Sequence, residues 1–305
     1  MNAPSIRLLI CIVGPTGVGK TELAIQLAER LNGEIVSADS RQIYRGMDIG
    51  TGKPTPAQLA RVRHHLIDCV DPGQPYTLAE YQAGAYAAID NIFSRGRRAL
   101  LVGGTGLYVR AVTEGLQIPA VPPNAGLRAQ LEDRAAHEGG DQLYEELKQI
   151  DPEASARIDP RNVRRTIRAL EVYLSTGQKF SAAGKTEPPP FAVRRIGLTL
   201  PRDELYRRAD ARVDEMIARG WLDEVRALAA KYEWNLPALS SLGYPQMGAV
   251  LRGDMTLADA AREIKHHTHR FIRHQYAWFH PGDPRIEWFD VRQVDLSGVL
   301  TAVKL

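Results

Sequence analysis

Gly14-Pro15-Thr16-Gly17-Val18-Gly19-Lys20-Thr21 fits G-x-x-x-x-G-K-[ST], the phosphate-binding P-loop. The flanking residues fit it too. Ile6 to Val13 is a short apolar run of strand character. From Thr21 to Leu31, Leu23, Leu27 and Leu31 fall on one helical face, and Asn32-Gly33 stops the helix. Strand, glycine turn and helix N-terminus together make an anion cradle, with backbone N–H groups and the helix dipole both favouring negative charge. Lys20 adds a movable positive charge, and the Thr21 hydroxyl offers a ligand for Mg²⁺. A di- or triphosphate, including that of a nucleotide such as ATP, is expected on this loop. The loop alone does not say which reaction follows.

Working outward, strand and helix patterns alternate through the first third. Glu34 to Asp39 reads as a second strand ending in a carboxylate, and His65 to Val70 as a third. Thr77-Leu78-Ala79-Glu80 is a capping box opening a helix to about Arg95, which Gly96 ends. Arg98 to Val102 reads as a fourth strand, followed by Gly103-Gly104-Thr105-Gly106. This alternation predicts an α/β fold, a P-loop NTPase-like parallel sheet covered on both faces. Ligands then bind beyond the carboxyl ends of the strands, where Gly14, Asp39, Asp68 and Gly103 lie.

After about residue 117 the pattern changes. Pro119, Pro122 and Pro123 mark a linker. Helices are expected over about 127–138, 141–150 and 162–176, and Thr186-Glu187-Pro188-Pro189-Pro190 forms a second linker. The expected division is a core of 1–117 and 191–305 with a helical insertion at 118–190. Arg195 to Leu200 reads as a fifth core strand, and the part from Asp203 on as mostly helical. The 305 residues carry a net charge of +3, 44% hydrophobic and 25% charged residues, ordinary for a globular protein. No run is long enough to span a bilayer and no signal peptide is visible. Cys11 and Cys69, both in apolar runs, read as buried thiols in a reducing compartment, so a cytoplasmic location is expected.

Three constellations carry chemistry. The segment Ser37-Ala38-Asp39-Ser40-Arg41-Gln42 places a carboxylate across from the P-loop, as a base, a water-mediated metal ligand, or simply a turn cap. Arg157, Arg161, Arg164, Arg165 and Arg168 crowd one stretch. With Val163, Ile167, Leu170 and Leu174 as the buried stripe, the arginines form either a solvated face or a phosphate clamp. Finally, Arg262 to Phe279 mixes bases and aromatics on a helix read as facing nucleic acid with its aromatics in the core. His266, His269 and His274 there could suggest zinc, but no carboxylate or thiol completes a site and the neighbouring cations oppose one.

In order and spacing these segments resemble the tRNA dimethylallyltransferases, or tRNA isopentenyltransferases, over nearly the whole chain. The resemblance rests on the P-loop, Ala38-Asp39-Ser40, Gln42 to Thr51, Lys53-Pro54 and His64-His65-Leu66-Ile67-Asp68. It continues in Leu101 to Tyr108, Arg168-Ala169-Leu170-Glu171-Val172, Leu242-Gly243-Tyr244, and Gln275 with Trp278-Phe279. It implies transfer of a dimethylallyl group from dimethylallyl diphosphate to N6 of the adenosine at tRNA position 37, 3′ of the anticodon, with Mg²⁺ as cofactor. It further implies that Asp39 is the general base and that Arg212 contacts the diphosphate with Gly14 through Thr21. RNA contacts are implied at Asp39, Ser40, Arg41, Gln42, Thr105, Arg128, Arg164, Arg165, Arg168, Leu242, Gly243 and Tyr244. A monomer is expected. The chain departs from the family pattern in Gly17-Val18-Gly19, where Ala-Ser-Gly is common, and in His269 and His274, where arginines are usual. An isopentenyltransferase acting on free adenine nucleotides and a P-loop small-molecule kinase are the competing readings.

Overall fold

The computed structural model describes residues 7–119, 121, 124–182 and 185–303. Six parallel strands form one sheet: β1 (Leu8–Val13), β2 (Gly33–Ser37), β3 (His64–His65), β4 (Arg98–Val102), β5 (Ala192–Thr199) and β6 (Ile286–Asp290), in the order β3-β2-β4-β1-β5-β6. β1 is central and buried along its whole length. Its period-two alternation fills two layers. Ile10 and Ile12 pack with Ile25, Leu27, Leu198 and Ile272 on one face. Leu9, Cys11 and Val13 pack with Tyr81, Ile89 and Leu101 on the other. A third apolar cluster joins Ile43 and Met47 to Trp221, Tyr244 and Met247.

The chain divides into two compact units, Met1–Thr113 with Pro189–Leu305, and Glu114–Pro188. The second unit holds the helices Ala125–Glu138, Gly140–Ile150, Pro152–Ser155 and Val163–Thr176 around Leu131, Leu143, Leu147, Ile167 and Leu170. Leu174 does not belong to that core, being 49% exposed. Pro122 and Pro123 lie outside the described residues.

Three sequence expectations change here. The third strand is only two residues long, because Leu66 and Asp68 take left-handed backbone angles (φ 60° and 55°) that break the ladder. Cys69 therefore sits half-buried in a loop, not in a strand, whereas Cys11 is buried and its thiol is pushed up to about 12 by that burial. β6 was not anticipated. It is an edge strand pairing only with β5, and its half-buried residues give no clear alternation.

Candidate functional site

The phosphate cradle follows directly from backbone conformation. Gly14, Gly17 and Gly19 have φ of 142°, 79° and 102°, and Gly19 caps the helix Lys20–Leu31. Those angles turn successive N–H groups inward at the helix N-terminus. Val18 is fully buried in the core beneath the loop, so of the two residues that depart from the family pattern it anchors the turn, whereas Gly17 lines the larger cavity described below.

Two loops close against the cradle. Ala38 N–H donates to Val102 O (2.7 Å) and Thr105 N–H to Ala38 O (3.2 Å), which ties the segment after β2 to the segment after β4. The approach is so close that a Cβ on Gly103 would lie 2.1 Å from Ala38 O. Gln275 then bridges both to the P-loop. Its Oε1 accepts from Thr16 N–H (2.8 Å) and its Nε2 donates to Gly104 O (3.2 Å), with the side chain buried. Sequence reasoning gave Gln275 no role. Only its place in the family-like Gln275 to Phe279 segment marked it.

Lys20, Thr21, Ser37, Asp39, Gln42 and Arg212 line a polar cavity of about 70 Å³. Lys20 Nζ donates to Pro15 O (2.8 Å). Burial, with help from the nearby Arg212 charge, pushes Lys20 down to about 8, and Asp39 opposes the shift. Arg212 is likewise lowered, by burial first, with Asp39 and Glu215 opposing; its Nη2 donates to Gly52 O (3.2 Å). Asp39 thus stands among two cations. Its Oδ1 accepts from Arg41 N–H (2.9 Å), while no hydrogen bond to its other oxygen is found among the described residues. The turn-cap reading of Asp39 is met by Oδ1, and its second oxygen is left for the other readings.

Beside this lies a larger, mainly apolar cavity of about 450 Å³. Thr16, Asp39, Thr51, Gly104 and Arg212 line both cavities, so a polar end carrying Lys20 and Arg212 and an apolar end meet at Asp39. That volume is in the range of small-molecule sites. Thr105, Leu242, Met216 and Ile264 contribute to its wall. Thr105 Oγ1 accepts from Ser40 N–H (3.1 Å), and Gln42 is held between Ser37 Oγ (3.1 Å) and Gly52 O (3.3 Å).

Glu224 is a second organiser that sequence reasoning missed. Its carboxylate accepts from the N–H groups of Asp48 (2.8 Å), Ile49 (2.6 Å) and Gly50 (3.1 Å) and from Tyr244 Oη–H (2.8 Å), fixing the loop that leads to Thr51 and Gly52. Tyr244 is therefore placed differently from expectation. It is fully buried, so its side chain supports this loop and cannot face RNA. Gly243 is packed so tightly that a Cβ would meet the Trp221 ring at 2.1 Å. Of the three, Leu242 alone reaches the cavity wall.

The arginine cluster also separates. Glu171 is buried in the second unit and accepts from Asn124 N–H (2.8 Å) and Arg168 Nη1 (2.7 Å), with Arg128 Nε at 2.9 Å. Burial raises this carboxyl, but those partners together hold it below the usual range. Arg128 and Arg168 therefore both pair with this one carboxylate, while remaining partly exposed. Arg161 pairs with Asp159. Arg164 and Arg165 are exposed, with no side-chain partner among the described residues. Near the C-terminus, His269 pairs with Asp210 (2.8 Å) and stacks on Tyr206. The aromatics of the helix Leu257–Trp278 are not all in the core: Phe271 is 42% exposed and Trp278 37%.

Among the described residues no group of three or more His, Cys, Asp or Glu gathers as a ligand set. What the cavity offers is the oxygen of Thr21, Ser37 and Asp39. That short, hard set suits Mg²⁺, which takes one or two protein oxygens and completes its shell with phosphate oxygens and water. No helix among the described residues is long and apolar enough to cross a membrane.

Comparison with known proteins gives consistent matches. The IPP transferase family matches residues 42–282, and the isopentenyl transferase family matches residues 7–71. A tRNA dimethylallyltransferase of Roseiflexus castenholzii is 55% identical over 272 residues, 89% of each chain. The crystal structure of the tRNA isopentenylpyrophosphate transferase from Bacillus halodurans is 39% identical, with a TM-score of 0.71 over 97% of this chain and 94% of that one. A eukaryotic dimethylallyltransferase seen acting on tRNA is 27% identical, with a TM-score of 0.78 over 97% of this chain and 76% of that one.

Proposed function

Because this chain belongs to the IPP transferase family, we propose that it transfers a dimethylallyl group from dimethylallyl diphosphate to N6 of the adenosine 3′ of the anticodon in tRNA. The observation that carries this reading is the meeting of the two cavities at Asp39. A kinase also uses a carboxylate beside its anion site, so it is the apolar chamber next to Asp39, suited to a dimethylallyl chain, that favours prenyl transfer.

The P-loop amides, Lys20 and Arg212 hold the diphosphate. As the allylic C–O bond breaks, the bridging oxygen gains charge, and these donors, fixed in place beforehand, stabilise it. The adenine amine attacks the allylic carbon and a new C–N bond forms. That amine is barely basic, so Asp39 takes its proton through the oxygen not engaged by Arg41. Diphosphate departs with the electron pair of the broken bond. Thr21 is the side chain that would hold Mg²⁺, which when bound supplies charge neutralisation for the leaving group. The adenine leaves its stack to reach Asp39, at low cost in a single-stranded loop. A monomer in the cytoplasm agrees with this substrate.

Labelled dimethylallyl diphosphate and labelled ATP, each incubated separately with bulk tRNA and with AMP, test the assignment. Label is expected in tRNA from the prenyl donor alone. Transfer to AMP, or phosphate transfer from ATP, would replace it with one of the competing readings.

Within the second unit, Arg164→Ala with Arg165→Ala is expected to weaken tRNA binding and to flatten its salt dependence. Each lost phosphate contact lowers the slope of log affinity against log salt by about one. Titration at two salt concentrations measures it, and an unchanged slope would make these arginines only a solvated face. Arg128→Ala or Arg168→Ala is less clean, since either uncovers the buried Glu171 charge.

A further inference from the structure

Six large apolar side chains are exposed among the described residues, and three of them, Leu107, Phe271 and Trp278, line the cavity that contains Asp39. Exposed aromatics at a cavity rim cost free energy unless a partner covers them. Phe271, His274 and Trp278 stand at i, i+3 and i+7, so they share one helical face. The helix carries no carboxylate after Glu263, and Arg270 adjoins Phe271, whereas Arg273, two positions on, falls on another face. Arg273 makes only a neutral contact, to Tyr206 Oη (3.1 Å), and Arg270 has no partner among the described residues. The face therefore offers π-surfaces in a positive setting, which is the composition that binds single-stranded nucleic acid.

Spacing narrows the occupant. Seven residues of helix place the Cα atoms that carry the two rings about 10.5 Å apart along the axis. Two steps of a stacked strand rise only about 7 Å. The rings are thus set for bases whose strand is pulled open around an extruded nucleotide. Trp278 is fixed in place, since a Cβ on Gly106 would strike its indole at 2.3 Å.

Resting on the function proposed above, we infer that Phe271 and Trp278 are stacking platforms for the two unpaired bases that flank the target adenosine. They hold the gap open while that base occupies the cavity. Neither ring is required for diphosphate binding.

Phe271→Ala tests this without disturbing the packed Trp278. Fluorescence anisotropy with an anticodon stem-loop RNA needs no turnover, so it reads the stack even if the group transferred proves to be another. Affinity is expected to fall about 5- to 150-fold, the range of one base–aromatic stack, and Phe271→Trp is expected to restore it. The KM for dimethylallyl diphosphate should stay near that of the wild type. Unchanged stem-loop affinity would overturn the inference. So would a rise in the KM for dimethylallyl diphosphate with RNA affinity kept, which would make Phe271 part of the prenyl pocket.

Discussion

Asp39→Asn is expected to lower kcat about 10²–10⁴-fold, the usual loss with a general base, while tRNA affinity stays close to that of the wild type. Asparagine keeps the carbonyl oxygen that accepts from Arg41 N–H, so the turn after β2 survives. It removes the negative charge and the basic oxygen. It also removes a carboxylate that Lys20 and Arg212 both sense. Without it the two cations repel each other uncompensated, so the KM for the diphosphate substrate should shift less than kcat, and in the direction of tighter anion binding. Steady-state kinetics on both substrates, with thermal melts to confirm the fold, separate the two effects. Near-normal turnover would reduce Asp39 to a turn cap.

The parts of this site legible in the sequence are those held by local backbone rules. The P-loop needs positive-φ glycines at fixed offsets and a helix starting at the lysine, and both requirements leave marks within eight residues. The strands that alternate with those helices share that legibility, and β4 begins and ends where its composition predicts. Asp39 was readable as a candidate because it follows a strand at the end where ligands bind.

What escaped is what depends on residues far apart in the chain. Gln275 lies 259 positions from the Thr16 N–H that it accepts from. Glu224 fixes a loop 174 to 176 positions before it. A lone glutamine on a helix, or a glutamate in an acidic first turn, looks the same whether it meets solvent or a distant backbone. The pairing within the arginine cluster escaped for a related reason. Counting positive charge cannot show that Arg128 and Arg168 both pair with the one buried carboxylate of Glu171. Nor does an aromatic on an amphipathic helix reveal by spacing alone whether it turns inward, as Phe279 does, or outward, as Phe271 does.

Lys20→Met should cost about 10²–10³-fold in kcat/KM for dimethylallyl diphosphate, the scale of a lost donor at a developing negative charge. Wild-type pH dependence carries the same signature. With Lys20 pushed down to about 8, the free enzyme holds its positive charge below that pH and loses it above. Because kcat/KM reports the free enzyme, it should fall on the alkaline side through about pH 8, and the methionine variant should lack that limb. Stability supplies an independent sign. The folded-state value lies below the ordinary 10.5, so between about 8 and 10.5 the unfolded chain binds the extra proton and wild-type stability rises with pH. Below pH 8 the folded protein carries a disfavoured, partly buried charge that methionine removes. The variant should therefore melt higher than the wild type at neutral pH, while the two curves converge above about 10.5. A variant that is more stable yet nearly inactive cannot owe its loss to unfolding. If it melted lower at neutral pH and kept the alkaline limb, Lys20 would be a packing residue, and the charge that meets the diphosphate would have to be assigned to Arg212 alone.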